Sequence, residues 1–387
     1  MPFASVDNGA VTLYYEDSGI PSGDTATGVP YATLVLIHGT MFHGATFRPL
    51  LPYAAQNNLR VITLNQRDFP GSTPIRRDEI EALESSDPHS QSRVLQSLAH
   101  QIAQFLVHLV DQYGIPPIQR SRDGKTQGGI SLIAWSQGTN MLFSFLAHLK
   151  SLPESAKKVV STHLRSAGFY DPSLYALGEN PQYVVEGGKD TSNGFYSPLR
   201  DPTLSMEQTS SIFPTFVSAF YSSLPELPLY SRELTDDLLR SIHFRPVIQS
   251  PERRPSVEQM TQEEYQSMVK SDYWTAGTGR IAIRQVQPEV FQANVRAALI
   301  KKSVATTSDS PESVVDFHPA FRILVFWCDM TVTEAILGSS AIAYHHDRLI
   351  KEGLCVHPLY SERIPGANHF AHWHDPERFL RGVSEAV

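Results

Sequence analysis

The chain has 387 residues, of which 41% are hydrophobic and 19% charged, so it can bury a sizeable core and is neither disordered nor fibrous. Its 32 Lys and Arg against 40 Asp and Glu give a formal net charge of −8, without long blocks of like charge. That balance argues against a nucleic acid or an anionic membrane surface as a partner.

Cysteine usage and apolar patterning narrow the class further. The two cysteines, Cys328 and Cys355, have neither metal-ligand spacing nor the pattern of a disulfide framework. The sequence starts without a basic and apolar leader, and no apolar run approaches the roughly 20 residues that a membrane span needs. We therefore expect a cytoplasmic protein with no membrane span.

Short apolar runs alternate with helical patterns in the first half, which is typical of a parallel sheet covered by helices. Runs that end in turn residues predict strands at 33–37, 60–64, 129–134, 162–170 and 321–327, and a further strand segment within 354–364. Residues 91–113 place apolar side chains at helical spacing and end at Gly114, which predicts a crossover helix.

The middle of the chain has a different pattern. Residues 172–300 hold 11 of the 27 prolines and show no regular alternation of strands and helices. Phe213, Phe216, Val217 and Phe220 have the spacing of one helix face. Such a stripe is more often local core than a ligand surface.

The strongest chemical signal is Ser136, in Ala134-Trp135-Ser136-Gln137-Gly138, between a predicted strand and an apolar helical run. The pattern is that of a nucleophile elbow, G-x-S-x-G, with Ala134 in place of the first glycine. Small residues are needed there because the strand-to-helix turn is tight. The turn strains the serine backbone and lifts its hydroxyl clear of the sheet edge, so we predict Ser136 as a nucleophile.

A second pattern, Leu36-Ile37-His38-Gly39-Thr40, has the strand-HG-loop form that supplies half of an oxyanion hole. The backbone N–H of Gln137, the residue after the nucleophile, would give one donor. Thr40 or Met41 would give the other. Standing alone, His38-Gly39 would indicate only a turn at the end of a strand.

The base is expected after the last predicted strand, where His369 lies in Gly366-Ala367-Asn368-His369-Phe370. His372 and His374 lie close by and could be read as metal ligands with it. No carboxylate-rich loop or H-E-x-x-H motif accompanies them, so we predict neither a metal nor a cofactor.

Three carboxylates compete for the role of the acid that orients the base. Asp329 directly follows the strand 321–327, and the order Ser136, Asp329, His369 is the one expected for this arrangement. Glu334 lies five residues further on, and Asp171 follows the strand 162–170. Asp329 is the leading candidate, and the alternative for an aspartate at that place is a helix N-cap.

Together these residues resemble the α/β-hydrolase family, in its branch of esterases, lactonases and epoxide-hydrolase-like proteins with a cap. The resemblance covers about residues 10–171 and 315–387. The loop 65–72 is similar to the family's D-x-R-G-x-G-x-S loop, from which Asp68 and Pro70 depart.

The resemblance implies an α/β fold, with a mostly parallel sheet covered by helices on both faces. The core would span 1–171 and 315–387, and a mainly helical cap, 172–314, would roof the site and select substrates. Candidate substrate-binding residues are Met41, Trp135, Phe216 and Phe220.

A serine at the elbow argues against epoxide hydrolase and dehalogenase activity, for which this family uses a carboxylate nucleophile. The implied route is an acyl-enzyme: Ser136 attacks a carbonyl, His369 carries the proton, and Asp329 orients the imidazole. We therefore predict hydrolysis of a small ester, thioester or lactone. The alternatives are carbon–carbon cleavage or a lyase reaction at the same site, and a catalytically silent small-molecule-binding protein.

Overall fold

The structure is a computed structural model that describes residues 2–21, 29–179, 197–199, 201, 203–228, 247–248, 250–274, 286–301 and 317–387. Its strands are β1 (Phe3–Val6), β2 (Val11–Asp17), β3 (Ala32–Ile37), β4 (Leu59–Leu64), β5 (Gln119–Arg120), β6 (Thr126–Gln127), β7 (Ile130–Trp135), β8 (Leu164–Tyr170), β9 (Arg322–Cys328) and β10 (Leu359–Ile364). Eight of them form one sheet in the order β1-β2-β4-β3-β7-β8-β9-β10, and β5 and β6 form a separate hairpin. Only the β1–β2 and β2–β4 pairs of this sheet are antiparallel, which confirms the predicted mostly parallel sheet.

Helices flank the sheet along most of the described chain. They are α1 (Arg77–Glu84), α2 (Pro88–Tyr113), α3 (Thr139–Ala147), α4 (Glu154–His163), α5 (Met206–Ser218), α6 (Ser256–Gln259), α7 (Gln262–Met268), α8 (Pro288–Leu299), α9 (Thr333–Lys351), α10 (Ala371–His374) and α11 (Pro376–Ala386). None of the helices in the described part of the chain is long and apolar enough to cross a membrane.

The predicted crossover helix is α2, and its ends follow from local chemistry. The Asp87 carboxylate accepts hydrogen bonds from the first free N–H groups, Pro88 occupies the first turn, and Gly114 ends the helix in the left-handed conformation. The helix therefore starts three residues earlier than the apolar stripe alone predicts.

Side chains of the central strands alternate between two cores. On β3, Val35 and Ile37 pack into the core beneath α2, α3, α4, α8 and α9, whereas Leu34 and Leu36 pack on the other face, beside α11. Because both faces are covered, these strands are apolar throughout.

Only part of 172–314 lies within the described residues. Two of its helices, α8 and α5, pack at different places on the sheet. On α8, Asn294 Nδ2 donates to Ser144 Oγ of α3 at 3.0 Å, and the apolar side chains of α8 join the core under the sheet. On α5, by contrast, Phe213 and Phe216 face the carboxyl ends of the parallel strands.

The register of the parallel strands gathers the candidate residues. Ile37 pairs with Ala134, Trp135 with Tyr170, and Tyr170 with Phe326, so these strands end at the same edge. The loops that follow them therefore converge, as the carboxyl ends of an open α/β sheet do at ligand sites.

Candidate active site

Ser136 lies on a strained turn directly after β7. Its φ of 56° is a conformation that non-glycine residues rarely adopt. A Cβ added to Gly138 would lie 2.2 Å from the carbonyl oxygen of His38, so no larger residue fits two places after the serine. Ala134 is fully buried at the other small position. The turn has the geometry of a nucleophile elbow.

The loop after β3 passes directly against the serine. A Cβ on Gly39 would lie 2.8 Å from that of Ser136. Thr40, the next residue, lines one pocket with Ser136 and an adjoining apolar cavity with Gln137. Met41, the other candidate donor, is buried with a φ of 67°, and its carbonyl accepts the N–H of Lys270 at 2.9 Å.

His369 lies in the same pocket and contacts a carboxylate. Its Nδ1 is 2.9 Å from Oδ2 of Asp171, and the His369 side chain is 97% buried. The other carboxylate oxygen of Asp171 accepts the N–H of Cys328 at 2.7 Å, and the Asp171 N–H donates to the Phe326 carbonyl at 2.8 Å. Asp171 is therefore fixed between the ends of β8 and β9 with one oxygen aimed at the imidazole.

Asp329 does not take the position predicted for it: the carboxylate at His369 is that of Asp171. Asp329 Oδ2 pairs with Arg363 at 2.5 Å and accepts from Ser223 Oγ at 2.7 Å, while its Oδ1 accepts the Gly366 N–H at 2.7 Å. The reason is the path of the chain after β9, which turns the Asp329 carboxylate toward the loop that precedes His369. Asp329 thus anchors the loop that precedes His369, and the competing candidate Asp171 makes the contact with the imidazole.

Glu334, the remaining competitor, lines the pocket that contains Ser136 and His369. Its carboxylate accepts hydrogen bonds from Ser173 Oγ and, at 3.5 Å, from Ser197 Oγ. The Ser173 N–H in turn donates to the Ser136 carbonyl at 3.3 Å. Sequence reasoning missed Ser173, because nothing in its neighbourhood distinguishes it from an ordinary loop serine.

The four candidate substrate-binding residues take different places. Phe216 lines the pocket, but Phe220 is fully buried, with its ring 5.0 Å from that of His374. Trp135 packs behind His369, with ring centroids 4.9 Å apart, and its Nε1 donates to the His369 carbonyl at 3.0 Å. Trp135 therefore positions the histidine from the core, while Met41 belongs to the loop beside Ser136.

The three clustered histidines do not converge on one point. His372 is fully buried, with Nε2 3.1 Å from Thr46 Oγ1 and Nδ1 3.2 Å from the Tyr170 hydroxyl, and His374 packs on Phe220. No group of three potential metal-ligating side chains occurs among the residues that the structure describes.

Burial sets the protonation of the groups around the site. It lowers the pKa of His38 to about 3, so the ring is neutral and its Nε2 accepts the Gln66 N–H at 3.0 Å. Burial and the neighbouring His369 lower the pKa of His372 well below its usual value. Burial, with Asp171 adding to it, raises the pKa of the Cys328 thiol, which is therefore no competing nucleophile.

The topology and the elbow define an α/β-hydrolase fold, and comparison with solved structures agrees. Potato (Solanum tuberosum) epoxide hydrolase I aligns over 100% of this chain and 98% of its own, at 12% identity and a TM-score of 0.55. A putative aryl esterase from Burkholderia cenocepacia aligns over 100% and 97%, at 15% identity and a TM-score of 0.49. The strand order, the elbow and the likeness to the potato enzyme show that the chain has the α/β-hydrolase fold predicted from its motifs.

No family model matches the sequence, and no curated protein matches it. At the identities of the solved structures, the likeness extends to the fold and no further.

Proposed function

We propose that the protein is a serine hydrolase that cleaves a small ester, thioester or lactone through an acyl-enzyme. The observation that carries the proposal is the 2.9 Å contact between His369 Nδ1 and Asp171 Oδ2, in the pocket that also holds Ser136 on its strained turn. A base that is oriented by a buried carboxylate and shares a pocket with a serine hydroxyl is the arrangement that activates a nucleophile.

In this mechanism the Ser136 hydroxyl attacks the carbonyl carbon and gives its proton to His369 Nε2, since Nδ1 is engaged by Asp171. Asp171 holds the ring and stabilises the imidazolium. His369 then protonates the leaving group, and the same base activates a water that hydrolyses the acyl-enzyme. Backbone N–H groups of Gln137 and Thr40 would hold the oxyanion, aided by the positive end of α3.

Within the proposal, 1–171 and 315–387 form the catalytic core, to which α8 adds from the segment 172–314, and the part of that segment around α5 contributes the cap. The support is α5, from which Phe213, Phe216 and Val217 form one wall of the pocket. A wall built from a separate segment can vary without disturbing the catalytic residues, as cap-type substrate selection requires.

The chemistry of the nucleophile favours acyl transfer over opening of an epoxide. Potato epoxide hydrolase I shares the fold, but the residue at the elbow here is a serine, which forms an acyl-enzyme where a carboxylate would form an alkyl-enzyme ester. The ester, thioester or lactone is therefore the substrate class that the site supports best.

The test is covalent labelling of Ser136 with a fluorophosphonate, together with hydrolysis of p-nitrophenyl acetate. We expect one label, located on Ser136 by peptide mapping, and its loss in Ser136→Ala with turnover lower by at least about 10⁴-fold. Ser267→Ala, on an exposed face of α7, is the control and should change neither.

Two results would reject the proposal in different ways. A folded protein that is neither labelled nor active would be the silent binding protein. One that is labelled at Ser136 but cleaves no ester, thioester or lactone would direct attention to a non-hydrolytic reaction at the same site.

A further inference from the structure

A second carboxylate, which the proposed mechanism does not use, lines the active-site pocket. Glu334 is 9% exposed and shares that pocket with Ser136 and His369. It makes no part of the His369–Asp171 contact, because the Asp171 oxygen occupies Nδ1. Its position in the pocket therefore calls for a separate role.

The surroundings of Glu334 favour a negative charge there. It is the second residue of α9, a helix of 19 residues, so it lies at the positive end of the helix. Hydroxyl groups of Ser173 and Ser197 donate to its two oxygens. Both interactions favour the carboxylate form and oppose the effect of burial, which favours the neutral acid.

Apart from Glu334 and the polar residues around Ser136, the described lining of this pocket is apolar. Its apolar residues are Leu199, Phe213, Phe216, Val217, Val332 and Ala335. A largely buried carboxylate that lines a pocket with aromatic and aliphatic side chains favours a ligand that brings a hydrogen-bond donor over one that brings an alkyl or anionic group. Aromatic rings beside it add attraction for a cation.

We propose that Glu334 selects substrates carrying a hydrogen-bond donor, an ammonium or hydroxyl group, on the part of the ester that lies against α9. The donor binds the Glu334 carboxylate while the carbonyl lies between Ser136 and the N–H groups of Thr40 and Gln137. Glu334 is thus a specificity-determining residue, and this inference rests on the proposed hydrolysis at Ser136.

The experiment compares matched esters that differ only in the distal group. One set varies the alcohol: isopentyl, hydroxybutyl and dimethylaminoethyl acetate. The other varies the acyl group: methyl isocaproate, methyl hydroxyvalerate and methyl dimethylaminopropionate. In wild-type protein, a donor-bearing ester of at least one set should exceed its alkyl counterpart in kcat/KM by about 10-fold or more. A preference for the amine alone would identify an ammonium group as the donor that Glu334 selects. A preference for both donor-bearing esters would show that hydroxyl groups are selected as well.

Variants test whether Glu334 causes the preference. Glu334→Gln keeps the shape, and we expect it to lower kcat/KM for the ammonium ester by about 10- to 100-fold while leaving the alkyl ester within about threefold. Glu334→Asp keeps the charge and should retain part of the preference. Glu352→Gln is the control, because that residue follows the same helix but pairs with Arg296 and Arg348 on the surface.

Equal losses on all esters in Glu334→Gln would overturn the inference, since a merely structural carboxylate would act on every substrate alike. Absence of any donor preference in wild-type protein would overturn it without using a variant. In both cases the alkyl esters would still be hydrolysed, so the proposed function would stand. If no ester is cleaved and Ser136 is not labelled, both proposals fail together.

Discussion

The pair Asp171→Asn and Asp329→Asn tests which carboxylate orients the base. Both aspartates are at most 1% exposed, and each directly follows a strand, so the two substitutions are closely matched. At position 171 the amide oxygen can still accept the Cys328 N–H, which leaves an N–H group facing His369 Nδ1. The ring would then carry its proton on Nε2, where it cannot accept the proton of Ser136.

The expected effects differ by orders of magnitude. In a serine triad, replacing the orienting aspartate by asparagine lowers kcat by about 10⁴-fold, which is about 5.5 kcal/mol of transition-state stabilisation. At position 329 an amide oxygen can keep the Gly366 contact. The amide nitrogen replaces the oxygen that pairs with Arg363, whose side chain is 36% exposed, and that accepts from Ser223 Oγ. We expect Asp329→Asn to lower the melting temperature and to keep kcat within about tenfold of wild type.

The assay is steady-state hydrolysis of p-nitrophenyl acetate by both variants, with melting followed by circular dichroism. Comparable folding with activity lost only in Asp171→Asn is the expected result. If Asp329→Asn loses about 10⁴-fold while Asp171→Asn retains more than a tenth of the activity, the assignment of Asp171 is wrong.

The remaining predictions concern stability and substrate preference. The folded pKa of His38, about 3, lies below its usual 6.5, so the neutral ring stabilises the fold above pH 6.5, and this is lost as pH falls toward 3. In urea unfolding, the free energy of unfolding should rise less steeply with pH in His38→Gln than in wild type, by about one proton or about 1.4 kcal/mol per pH unit. An unchanged slope would contradict the burial argument. Phe220→Ala should destabilise the protein by about 3–5 kcal/mol with unchanged substrate preference, because Phe220 is core. Phe216→Ala should change the kcat/KM ratio of bulky to short esters by about tenfold, and the reverse pattern would place Phe220 at the substrate.

Local sequence was sufficient for the central parallel strands and for part of the site. The runs behind β3, β4 and β7 are apolar throughout because both faces of the sheet are covered, and that property is visible without coordinates. The tight turn around Ser136 needs small neighbours, so its pattern is also local. The position of His369 follows from strand order.

The partner of His369 was decided by tertiary structure. β8 and β9 are each followed directly by an aspartate, and adjacent parallel strands present both carboxylates at the same edge. Sequence order favoured Asp329. The choice depends, however, on how the chain turns after each of the two strands, which brings Asp171 to the imidazole and Asp329 to Arg363.

The same distinction holds for the pocket wall. One helical stripe contains Phe216 and Phe220, yet the helix ends at Ser218, so Phe216 faces the site and Phe220 enters the core. The sequence by itself determined the central parallel strands, the elbow and the candidate base, because these depend on neighbouring residues. Contacts between segments far apart in the chain, such as those of Glu334 and Asp171, depend on the path of the loops, and only the folded structure decides them.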